Sequence, residues 1–119
     1  MNEDFTLLII ITSFVLLAII ILIYLLIKPK KVIEKYDTGE NRKIFFLKKG
    51  IKVGVEKIYY RDGNINKVKQ YNQGILNGIT TTYYPSGAVY ITANYRDGKL
   101  IGEYKIFEED GNVKEVKMY

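Results

Sequence analysis

Tyr71–Gly87, YNQGILNGITTTYYPSG, carries a skeleton of Tyr71, Gly74, Gly78, Tyr83 and Gly87. The spacing returns 24 residues later as Tyr95, Gly98, Gly102, Phe107 and Gly111, and 24 residues earlier as Leu47, Gly50, Gly54, Tyr59 and Gly63. Tyr119 stands where a further copy would begin, and Gly39 lies one period before Gly63. A fixed period of this length marks stacked repeats, in which each unit buries its apolar face only against its neighbours.

Each period holds two β-rich runs. In the central copy these are Ile79–Tyr84 and Ala88–Tyr95, separated by Pro85-Ser86-Gly87. The flanking copies place Asp62-Gly63-Asn64 and Asp110-Gly111-Asn112 at the same point. Asp-Gly between β-rich runs predicts a hairpin turn, with Gly63 and Gly111 at positive φ. The longer connections, Asn72–Gly78 and Arg96–Gly102, carry two glycines four residues apart and would lead the chain into the next hairpin. Tyr59, Tyr83 and Phe107 keep an aromatic, and Ile65, Val89 and Val113 keep a β-branched side chain, so these positions read as packing. Other positions vary, as in Lys57, Thr81 and Lys105, or Tyr60, Tyr84 and Glu108.

The motifs Tyr71-x-x-Gly74-x-x-x-Gly78 and Tyr95-x-x-Gly98-x-x-x-Gly102, each followed by an aromatic and a turn glycine, resemble MORN-type repeats. Ile79-Thr80 and Glu103-Tyr104 follow the second glycine where typical repeats have Gly-x-Gly, so the chain is more similar to the MORN-repeat variant form. That form carries the label YwqK-family antitoxin in bacterial genomes. The resemblance covers roughly residues 36–119. It implies an all-β, elongated antiparallel sheet of hairpins, a binding or scaffolding role and a protein partner, with a toxin as that partner under the antitoxin label.

The N-terminal quarter is of another kind. Phe5–Ile27 is 23 uncharged residues, about 34 Å as a helix and sufficient for a ~30 Å hydrocarbon layer. Residues 1–4, Met-Asn-Glu-Asp, form a short acidic tail; with no basic n-region and no Ala-x-Ala site, the segment reads as a permanent anchor rather than a cleaved leader. Lys28, Lys30, Lys31 and Lys35 follow it in a basic linker, residues 28–35, with the repeat domain over 36–119. The lysines predict an outside N-terminus and a cytoplasmic repeat domain at the cell membrane. Residues 28–57 carry ten basic and four acidic side chains, against eight and seven over 58–119. Lys28, Lys30, Lys31, Lys35, Lys48 and Lys49 are therefore the candidate contacts to anionic headgroups, unless the excess reflects only the abundance of Lys in this composition.

The chain has neither Cys nor His, which removes thiolate nucleophiles, the usual zinc ligands and the commonest general base. Ser86 stands in a turn with no base to activate it. Glu108-Glu109-Asp110 reads as a solvated acidic turn, and Arg61-Asp62-Gly63-Asn64 lacks the spacing of a calcium loop. No enzymatic activity, cofactor, metal or small-molecule substrate is expected. Lys67, Lys69, Tyr71 and Tyr60 could in principle form a stacking platform, but residues 58–119 are close to neutral, and nucleic acid is not expected as a partner. Tyr60, Tyr84, Tyr90 and Tyr104 lie outside the repeated Tyr series and are the candidate partner-binding side chains. The edge strand Val113–Tyr119 offers a second route, by strand addition, unless Lys114 and Lys117 guard it. Three roles follow: a membrane-anchored module that holds or recognises a partner protein, a lipid-surface scaffold, or a surface-displayed repeat protein if the orientation is reversed.

Overall fold

In the computed structural model, which describes residues 2–119, α1 occupies Glu3–Ile27. Asn2 caps it, its side-chain oxygen accepting the Asp4 N–H at 3.0 Å, and Glu3 and Asp4 place negative charge against the positive end of the helix dipole. The hydroxyls of Thr12 and Ser13 donate back to the carbonyls of Ile9 and Ile10 at 2.9 and 2.7 Å, so the helix satisfies its own polar groups. None of its side chains is buried. The Lys28 N–H closes the last turn on the Tyr24 carbonyl, and Pro29 prevents another.

The strands are β1 (Lys30–Lys35), β2 (Asn41–Lys48), β3 (Ile51–Lys52), β4 (Gly54–Tyr59), β5 (Ile65–Asn72), β6 (Ile75–Leu76), β7 (Gly78–Tyr83), β8 (Val89–Arg96), β9 (Lys99–Phe107) and β10 (Val113–Met118). They make one open antiparallel sheet in the order β1-β2-β4-β5-β7-β8-β9-β10, with β3 and β6 as short additions on β2 and β5. This is the elongated antiparallel sheet of hairpins that the resemblance to MORN-type repeats implies. The basic linker expected at 28–35 is shorter than expected: Lys30–Lys35 is a strand, paired from Lys30↔Leu47 to Lys35↔Asn41. Pairing with Ile44, Phe45 and Phe46 overrides the weak strand preference of its lysines.

Two kinds of turn alternate. Along one long side, the N–H of Tyr36, Tyr60, Tyr84 and Glu108 donates to the carbonyl of Glu40, Asn64, Ala88 and Asn112 at 2.8–2.9 Å. In each of these turns the glycine N–H closes an inner bond, and Gly63 and Gly111 sit at φ +89° and +91°, as their Asp-Gly context predicts. Along the other side, Lys49-Gly50, Gln73-Gly74 and Asp97-Gly98 have both central residues at positive φ, the two-residue hairpin geometry that matches strand twist. Strand pairing slips by one residue beside each of the first set of turns, leaving Arg42, Asn66, Tyr90 and Lys114 as the extra residues, again 24 apart.

Among the described residues, only Phe45, Glu56 and Ala93 are buried. The pairings Glu56↔Lys69 and Thr80↔Ala93, with Lys67↔Thr82 between them, put these residues and Phe45 in one line across one face. With so little burial, the sheet depends on its ladder and on each repeat's contact with the next.

Candidate functional site

Because the strands of the main path run from one long side of the sheet to the other, the turns gather in two rows. One row holds the residues that follow α1 and the turns Lys48–Ile51, Asn72–Ile75 and Arg96–Lys99. The other holds the turns 36–40, 60–64, 84–88 and 108–112. The first is the near rim, the side on which the chain leaves the helix, and the second is the far rim.

The six lysines that the sequence offers as headgroup contacts do not stay together. Lys28, Lys30, Lys48 and Lys49 share the near rim: Lys30 pairs with Leu47, the residue before Lys48, and Pro29, Lys48, Lys49, Ile51 and Asn72 border one open groove there. Lys31 stands beside Ile44, Phe46 and Val55 on the face opposite Glu56. Lys35 ends β1 at the far rim, five residues or about 16 Å from Lys30 along the strand.

The aromatic candidates divide in the same way. The Tyr60 hydroxyl donates to the Tyr83 carbonyl at 2.6 Å and the Tyr84 hydroxyl to the Phe107 carbonyl at 2.8 Å. Tyr36, one period earlier, donates to the Tyr59 carbonyl at 2.7 Å. Each of these tyrosines ties one far-rim turn to the next hairpin, so Tyr60 and Tyr84 belong to the scaffold, contrary to their reading as positions free to vary. The signal was in the sequence: Tyr36, Tyr60 and Tyr84 are spaced by 24, but Glu108 in the last copy breaks the series. Tyr90, a bulge residue, lies on Tyr84 with ring centroids 4.6 Å apart, and in the last copy the equivalent pair is a Lys114–Glu108 ion pair at 3.4 Å. Tyr104 meets Tyr119 edge-on at 6.3 Å. Burial raises the Tyr84 phenol above its usual pKa, with the Glu108 charge adding to it.

If the hydroxyls are the ties, Tyr36→Phe, Tyr60→Phe and Tyr84→Phe should each destabilise the sheet by about 1 kcal/mol, the net worth of one hydrogen bond. Tyr90→Phe, where the ring is what packs, should cost a few tenths at most. Urea unfolding of the four variants tests this; a Tyr90→Phe loss as large as the others would contradict the assignment.

Two ionic contacts on the scaffold escape the sequence reading. Arg61 reaches back one repeat to Asp37 at 2.7 Å while its guanidinium lies over the Tyr36 ring, 4.7 Å from the centroid. That hydrogen bond, and then the charge itself, hold the Asp37 carboxyl below its usual pKa. On the buried line, the Glu56 carboxylate takes Lys52 Nζ at 2.5 Å and the Tyr71 hydroxyl at 3.3 Å, with Lys69 Nζ at 4.0 Å. Lys52 also lies 4.9 Å from the Phe45 ring centroid and 5.1 Å from that of Tyr71. Burial lowers the Lys69 pKa against the opposing pull of Glu56, and burial followed by the Glu56 charge raises that of Tyr71.

Taken as chemistry, the arrangement offers faces, rims and edges for binding. Its shared features agree with a family profile: the one described as MORN repeat variant matches residues 52–73, 76–97 and 100–119. The β1–β2 hairpin precedes the matched residues, although its 36–40 turn has the same hydrogen bonds as the turns within them. No curated protein and no solved structure matches the chain.

Proposed function

We propose that this chain, which belongs to the MORN repeat variant family, is a membrane-anchored β-repeat module that holds or recognises a partner protein at the membrane. The observation that carries the reading is α1. It is 25 residues long with a mean hydropathy of 3.2 over its most apolar window, long and apolar enough to cross a bilayer, and it buries no side chain against the sheet. A helix so apolar and so bare in a chain with its own folded sheet calls for a lipid surrounding. Lys28, Lys30 and Lys31 after its C-terminal end favour a cytoplasmic sheet at the cell membrane. The finer reading is a component of a toxin–antitoxin system, with a toxin protein as the partner, and a binding role rather than a catalytic one.

Fractionation of cells expressing the full chain tests the anchor. The protein should sediment with membranes, resist salt and alkaline extraction, and enter solution with detergent. Protease should spare residues 36–119 in intact cells and cut them after permeabilisation. Recovery of the chain in the soluble fraction would overturn the anchor; cleavage in intact cells would place the sheet outside. For the partner, Tyr90→Ala and Tyr104→Ala are cleaner probes than Tyr60→Ala or Tyr84→Ala, because the latter pair also removes an inter-repeat tie.

A second reading, a lipid-surface scaffold, is favoured by the gathering of Lys28, Lys30, Lys48 and Lys49 at the end of the helix.

A further inference from the structure

The two rims carry opposite charge. In the three near-rim turns, Lys48, Lys49, Arg96 and Lys99 stand against Asp97 alone, and Lys28 and Lys30 extend the same row. In the four far-rim turns, Asp37, Glu40, Asp62, Glu108, Glu109 and Asp110 stand against Arg61, with Lys35 beside the first of them at the end of β1. Linear sequence hides this segregation, because Arg96 and Lys99 lie far from the helix along the chain and close to its side of the sheet. The near rim also exposes apolar surface: Ile51 and Ile75 are each about half exposed. They line the rim in series, for a Cβ built on Gly74 would lie 3.0 Å from Ile51 Cγ2 and one on Gly98 3.4 Å from Ile75 Cγ2.

The tether fixes which rim can meet a bilayer. Only Lys28 and Pro29 separate Ile27 from Lys30, so the near rim begins within about 11 Å of the last helical residue. Where the helix crosses a membrane, that corner lies among the headgroups. The third near-rim turn is five to six strands further along the sheet, roughly 25 Å away, and the tether alone does not hold it there. Charge decides its place: bases on the near rim are drawn to anionic headgroups while the acids of the far rim are repelled.

We propose that the sheet stands on edge on an anionic lipid surface, near rim down, with the bases of its first and third turns on headgroups and Ile51 and Ile75 at the acyl boundary. The far rim then projects outward by the height of the strands. The inference rests on the membrane anchor proposed above and adds an orientation and a lipid class to it.

The absence of cysteine allows single labels to be placed by substitution. The full chain, labelled with a fluorophore at Lys28→Cys, Lys99→Cys or Ser86→Cys, is reconstituted into phosphatidylcholine vesicles with or without phosphatidylglycerol, each carrying headgroup-nitroxide quencher. Lys28→Cys should be quenched in both. Lys99→Cys should be quenched several-fold more than Ser86→Cys in the anionic vesicles, and this excess should fall with salt, in neutral vesicles, and in a chain also carrying Lys48→Glu and Lys49→Glu. Quenching at Lys28→Cys with equal signals at Lys99→Cys and Ser86→Cys would overturn the orientation and leave the anchor standing. An unquenched Lys28→Cys would overturn the anchor and the orientation together. Equal quenching at Lys99→Cys in neutral and anionic vesicles would overturn the assignment to anionic lipid.

Discussion

Glu56→Ala should destabilise the sheet by about 2 kcal/mol or more, although it removes one side chain from a protein whose surface is mostly exposed. Glu56 is 1% exposed, and its carboxylate is the shared counter-ion of Lys52 and Lys69 and the acceptor of the Tyr71 hydroxyl. Truncation leaves two ammonium groups on one buried line with no anion between them. The estimate stays at the low end for a broken buried pair because both lysines remain about a third exposed and can turn their heads toward water. The next repeat shows how the same line closes without charge, with Leu76, Thr80 and Ala93 at the places of Lys52, Glu56 and Lys69. The Thr80 hydroxyl there has no hydrogen-bond partner, so valine is the better choice at 56. The triple change Lys52→Leu, Glu56→Val and Lys69→Ala should return stability to within about 1 kcal/mol of the parent, since an apolar replacement of a whole ion cluster is often neutral. With eleven tyrosines and no tryptophan, urea unfolding in detergent can be followed by tyrosine fluorescence. If Glu56→Ala unfolds with the parent, the cluster is a surface feature and the buried line has been misassigned.

The repeat frame was legible because it depends on residues that local backbone geometry demands. Glycine at fixed spacing, Asp-Gly at two of the far-rim turns and alternating β-rich runs are each explained by one short stretch of chain. What the sequence did not disclose depends on pairing. Glu56 meets Lys69 only because β4 and β5 run in the register Glu56↔Lys69, and nothing within a few residues of Glu56 marks it as buried. Lys30–Lys35 looks like a linker by composition and becomes a strand because Phe45 and its neighbours give it a partner. The six lysines divide for a different reason. Counting charge outward from the helix grouped Lys35 with Lys30, whereas β1 carries Lys35 to the opposite rim and brings Arg96 and Lys99 to the near one. The scaffold part of Tyr60 and Tyr84 is hidden for a reason internal to repeats: a position that changes in the last copy looks free, although Glu108 there answers Lys114 rather than a further hairpin.

The glycines after the short strands make the last expectation, and they separate a strained backbone from a merely left-handed one. Gly78 and Gly102 stand 24 residues apart at equivalent places, Gly78 opening β7 after the two-residue β6 and Gly102 lying inside β9. Gly102 has φ +66°, within reach of the left-handed helical region, and a Cβ added there meets nothing within 4 Å. Gly102→Ala should therefore cost about 1 kcal/mol, the ordinary penalty for an L-residue in that region. Gly78 has φ +108°, outside that region and open essentially to glycine alone. A Cβ there would also collide with the Gln70 side-chain amide oxygen and lie 3.3 Å from Gln70 Cβ. The amide can swing aside, but the backbone must still rotate by tens of degrees, and the Asn77 N–H bond to the Gln70 carbonyl at 2.9 Å ties down the residue before it. Gly78→Ala should cost about 3 kcal/mol, the upper end for one strained residue. The double variant Gly78→Ala with Gln70→Ala removes the collision and keeps the strain, so it should recover only a small part of the loss. Full recovery in the double variant would show that crowding by Gln70, and not backbone conformation, makes glycine necessary at this bend.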